Sequence, residues 1–174
     1  VVSVLANLVT PTSADAELML RIASTHPRFE GLLWQHLCRP QWFVRFHEDT
    51  KISAWLDGAN EDMRNYALNS MASAVNEYPG QIAELLVSRK TAPGYHDWLR
   101  RIIRCADVCR GRELFTLVLE AVRHGAYDTM EHELWLVMHD LAKHEPLWAI
   151  ELLQAHLIDH VDSLTRNEQG KVAL

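Results

Sequence analysis

The apolar positions of this chain recur in three similar phrases, MLRIASTHPRFEGLLW, MASAVNEYPGQIAELL and MHDLAKHEPLWAIELL. In each, a proline (Pro27, Pro79, Pro146) stands eight residues after a methionine (Met19, Met71, Met138) and six before a leucine (Leu33, Leu85, Leu152). Ahead of the first proline, Leu18, Met19, Ile22 and Ala23 keep the three-and-four spacing of a helix, and Leu32, Leu33, Trp34 and Leu37 resume it afterwards. Proline is tolerated at the first position of a helix, where its missing N–H has no partner to lose. Each phrase therefore predicts helix, tight turn and helix. Upstream, Thr10-Pro11-Thr12-Ser13 combines a breaker with a helix cap. A degenerate repeat of this kind sets the architecture before any single residue does.

The prolines are 52 and then 67 residues apart. The longer interval has room for a further hairpin without proline, turning near Arg110-Gly111. Four hairpins are expected, at about 13–38, 60–88, 95–124 and 131–158, with an irregular insert at 39–59 that holds a short helix near 51–56. The fold expected is all-α: stacked antiparallel helical hairpins in one repeat domain, forming a right-handed α-solenoid, a HEAT- or TPR-like superhelix. Met19, Met71, Met138, Leu85 and Leu152 should lie in its core. The apolar opening 1–9 reads as the end of a helix whose partner lies upstream, and 159–174 as a polar tail. The opening leads to the expectation of a piece excised from a larger protein, and the tail is expected to fray or to lead onward.

Repeat length, paired helices and irregular spacing resemble HEAT-like or armadillo-like α-solenoids. The tetratricopeptide pattern and the TPLHxA of ankyrins are absent. The phrase ELWLVMHDLAKHEPLWAIELLQAHL (133–157) also looks like the helical repeats that follow the NTPase core in bacterial STAND-type signalling and defence proteins. That resemblance covers about the last 45 residues. It implies a sensor or scaffold segment, since the chain carries no GxxxxGK[ST] of its own.

Composition narrows the setting. With 48% apolar residues, the chain is not of the disordered class. Three cysteines (Cys38, Cys105, Cys109) are an odd number with no CxxC, which fits free thiols in a reducing cytosol. No apolar run approaches the roughly 18 residues of a membrane helix, so a cytoplasmic chain without membrane contact is expected. GxSxG, GxGxxG and paired-cysteine zinc patterns are missing. A non-catalytic protein without cofactor is expected. His156 and His160, four apart, could share a metal, but no third ligand stands at diagnostic spacing.

Charge and aromatic residues supply the candidate sites. The net charge is −6, yet residues 89–112 carry seven cations against two acids. Arg100, Arg101 and Arg104 fall on one side of a helix read as 95–109, opposite Trp98, Ile102, Cys105 and Cys109. Such a face suits phosphate or carboxylate, or it is a solvated face braced by Asp97 and Asp107. In the insert, Trp42, Phe43 and Phe46 interleave with Arg45, which suits a contact site, or else fills the gap where the stack is interrupted. Of the six tryptophans, Trp34, Trp98, Trp135 and Trp148 sit on helices and read mostly as core.

The functional expectation is a scaffold or sensor module that binds a protein partner or other domains of its own polypeptide. The alternative is nucleic-acid binding through Arg100, Arg101 and Arg104, resembling HEAT-like DNA alkylation-repair proteins.

Overall fold

Side-chain caps or prolines start several of the helices. The computed structural model describes residues 4–5, 7–123 and 127–158, and of 27–29, 32, 110 and 127–131 the backbone alone. The regular structure is helical throughout, and no strand occurs among the described residues. Contacts gather the chain into two compact units, Val1–Tyr78 and Pro79–Leu174. Their boundary falls inside the stretch 60–88 that the repeat reads as one hairpin. The opening 1–3, His124, His160 and the tail 159–174 lie outside the described residues.

The first unit holds α1 (Ser13–Thr25), α2 (Pro27–Leu37), α3 (Pro40–Glu48), α4 (Lys51–Asp57) and α5 (Glu61–Ala74). Thr12 caps α1 in a reciprocal box. Its hydroxyl accepts from the Asp15 N–H at 3.3 Å, and the Asp15 carboxylate accepts from the Thr12 N–H at 2.8 Å. Asn60 caps α5 by accepting the Met63 N–H at 3.1 Å. Helix α1 packs on α2 and α3, and α5 packs on α3 and α4. Met19, Leu33, Ile52, Leu56 and Met71 are fully buried at these contacts.

The insert differs from the sequence reading. A helix near 51–56 is present as α4, but 40–48 is helical too. Pro40 starts α3, and Trp42, Phe43 and Phe46 fall on one side of it and enter the core. Between α3 and α4 the backbone reverses at Thr50, which takes a left-handed conformation (φ 59°). Arg64 then closes α4, donating to the Gly58 carbonyl at 2.5 Å and the Leu56 carbonyl at 3.3 Å.

The second unit holds α6 (Pro79–Val87), α7 (Tyr95–Ile103), α8 (Arg112–Arg123), α9 (Tyr127–His144) and α10 (146–158), with a 3-10 turn at Val108–Arg110. Helix α8 packs on α6 and α7, α9 packs on α7, and the 3-10 turn contacts both α8 and α9. Ile82, Leu86, Leu99, Phe115, Val118, Leu141 and Leu152 form the core. Among the described residues no helix is long and apolar enough to cross a membrane.

Three details depart from expectation. Helix α7 stops at Ile103, not 109, because Cys-Ala-Asp-Val-Cys contains several weak helix formers and the chain turns there to bury Val108. Cys105 is consequently exposed and Cys109 half-buried, not a pair on one buried face. Met138 is half-buried, unlike Met19 and Met71. Trp135 is 60% exposed and belongs to no core.

Met71→Ala and Leu152→Ala each remove a side chain that is at least 99% buried. Each should cost about 2–5 kcal/mol in urea unfolding. A loss below about 1 kcal/mol at either position would contradict the burial described.

Candidate interaction surface

Helix α10 is apolar on both sides. Its inner side is fixed to α8. Leu152 and Ala155 are buried, and Trp148 stacks on Phe115 with ring centroids 5.0 Å apart. The Arg112 guanidinium lies over both rings, 4.8 Å from Phe115 and 5.0 Å from Trp148. Arg112 also donates to the Glu151 carboxylate at 3.0 Å, and Arg123 stands 4.0 Å from the other oxygen. These contacts fix which way α10 faces. They leave Leu147 (77% exposed), Ile150 (52%), Leu153 (45%), Leu157 (52%) and Ile158 (65%) in solvent. At 100° per residue, these five positions fall within an arc of about 140°. Gln154 is the polar residue within that arc.

The arginines of α7 are not a free cationic face. Arg100 donates to Asp97 at 2.8 Å, along the helix. Arg104, just past the helix end, donates through Nε to Glu133 of α9 at 2.5 Å. Arg101 is half-buried. Glu133 is 3% exposed, a buried acid held by a surface arginine. Burial alone would raise its pKa. The Arg104 hydrogen bond, its own backbone and the charges of Arg104 and Arg100 outweigh that, so the carboxyl lies below its usual range. A 160 Å³ cavity adjoins this pair, lined by Ile103, Val108, Leu136, Val137 and Asp140 among others.

The aromatic insert is interior. Trp42 and Phe43 are completely buried and Phe46 is 1% exposed, so they present no area to a partner. Their place is taken up by packing: Phe46 lies 5.1 Å from Trp55, which meets Trp34 edge-on at 6.3 Å. Arg45 pairs with Glu48 and, at 3.5 Å, with Asp49. The four insert candidates thus belong to the core and its rim.

A cavity of 430 Å³ near the start of α7 is lined by Lys90, Tyr95, His96, Glu120, Ala121 and Arg123. Lys90 pairs with Glu120 there. Burial, with a smaller push from Glu120, raises the Tyr95 pKa to about 12, so its phenol stays protonated at neutral pH. Among the described residues, no group of three or more His, Cys, Asp and Glu side chains could hold a metal. His156 is half-buried, and His160 lies outside the described residues.

Arg104→Ala would leave the Glu133 carboxylate buried without its partner, at a cost of about 1–3 kcal/mol at pH 7. Because the folded pKa is depressed, the pair's stabilisation is complete above the unfolded value of about 4.3. It fades as pH falls through the lower folded value. The stability gap between wild type and Arg104→Ala, read by urea unfolding, should therefore shrink between pH 5 and pH 3. A gap independent of pH would show that the pair contributes nothing.

No family model, curated protein or solved structure matches the chain, so the surface of α10 is read from its own geometry.

Proposed function

We propose that the chain is a non-catalytic protein-interaction module, a scaffold or sensor segment of a larger polypeptide, which docks protein through the outer face of α10. The observation that carries this reading is the arc of Leu147, Ile150, Leu153, Leu157 and Ile158, left in solvent by a helix whose other side is already buried. A helix apolar all round is normally covered on all sides, and an ordered strip of aliphatic side chains is what another helix packs into. In a HEAT-like solenoid of stacked hairpins each unit buries a face on the next, and an open outer face is where a further element would dock. A cytoplasmic STAND-type NTPase of bacterial origin is the setting that residues 133–157 suggest. Protein is favoured over nucleic acid because Asp97 and Glu133 take up the charge of Arg100 and Arg104.

The test is a photoreactive benzoylphenylalanine at position 153, with position 81 on the exposed side of α6 as control, in the protein expressed in its native cell. Irradiation should give a covalent adduct with a polypeptide at 153 and not at 81. No adduct at 153 above the level at 81 removes the reading.

A further inference from the structure

We infer that the occupant of the α10 face is a second copy of this chain, so that the protein forms a two-fold dimer through Leu147, Ile150, Leu153, Leu157 and Ile158. The inference rests on the docking surface proposed above and names its partner. Three features of the face choose among occupants.

The first is charge. Between 146 and 158 the ionisable side chains are Glu151, tied inward to Arg112 and Arg123, and the half-buried His156. A partner presenting Lys, Arg, Asp or Glu at this contact would bury a charge against a strip with nothing to pair it. Nucleic acid would meet no cation there. A copy of the same strip meets neither cost. In a two-fold contact the same patch lies on both sides, so it must be compatible with itself, and an uncharged aliphatic strip is.

The second is shape. The five residues are spaced three, three, four and one apart. They form one ridge along a helix about 20 Å long, which can seat against its own copy by ridge-into-groove packing.

The third is area. From their exposures, burying the five side chains would remove about 500 Å² per copy, or about 1,000 Å² in all, at the lower edge of specific interfaces. An interface of that size suits a weak, transient dimer.

Each copy carries a net charge of −6, so the copies repel while the contact itself is apolar. Added salt should screen that repulsion and tighten the dimer, opposite to the behaviour of a contact held by ion pairs.

Sedimentation velocity of the 174-residue chain, from low micromolar to several hundred micromolar, tests the inference. The expected result is a shift from monomer to dimer that strengthens between low and moderate NaCl. Ile150→Lys and Leu153→Lys, each changing a solvent-exposed side chain, should keep the helical circular dichroism and weaken the dimer at least tenfold. A chain that stays monomeric to several hundred micromolar overturns the inference, and so does a dimer that both variants leave unchanged. Monomeric behaviour combined with a position-153 adduct to a different polypeptide refutes the second copy but leaves the docking surface standing. Absence of any adduct at 153, whether to a second copy or to another polypeptide, would remove both.

Discussion

Half of the ten helices among the described residues are shorter than the roughly 12–15 residues at which an isolated helix is marginal in water. Helix α4 has seven residues, and α3, α6 and α7 have nine. Each therefore exists because an apolar face is buried against a neighbour, and that requirement organises the rest. It draws Trp42, Phe43 and Phe46 inward to hold α3 on α5. It ends α7 early so that Val108 can be covered. It also makes the apolar arc left uncovered on α10 conspicuous.

The helix starts were legible because their cause is local. Pro27 and Pro79 open α2 and α6, and position 146 opens α10, since a fixed φ and a missing N–H suit a first turn and little else. The inward face of each helix was legible only where polar residues interrupt the apolar ones. Met19 and Met71 stand in such patterns and are buried. Leu134 to Met138 reads LWLVM, five apolar residues covering every direction around a helix, so the period carries no information there. Which residues turn inward was decided by α7 and the 3-10 turn: Leu134 and Val137 are buried, while Trp135 and Leu136 face solvent. The same ambiguity hid the arc on α10. A signal did exist: LWAIELLQAHLI is apolar on more sides than one neighbour can cover.

The arginine segment shows the other limit. Its cations are visible in the sequence, and so is Asp97, the partner of Arg100; the partner of Arg104 is not, because Glu133 stands 29 residues beyond it. Only the packing of α9 on α7 brings the acid to the guanidinium. A cluster that is strongly basic by composition is thereby largely neutralised by its surroundings, and Glu133 becomes a charge the interior tolerates because an arginine at the surface answers it.

The reversal at Thr50 has a consequence of a different kind. A β-branched residue in the left-handed region carries a conformational cost of about 1–3 kcal/mol, where glycine or asparagine would carry far less. The fold holds Thr50 there because α3 and α4, anchored on either side by Phe46 and Ile52, leave the backbone no other course. This chain therefore lies below the stability that the same backbone would have with asparagine at position 50.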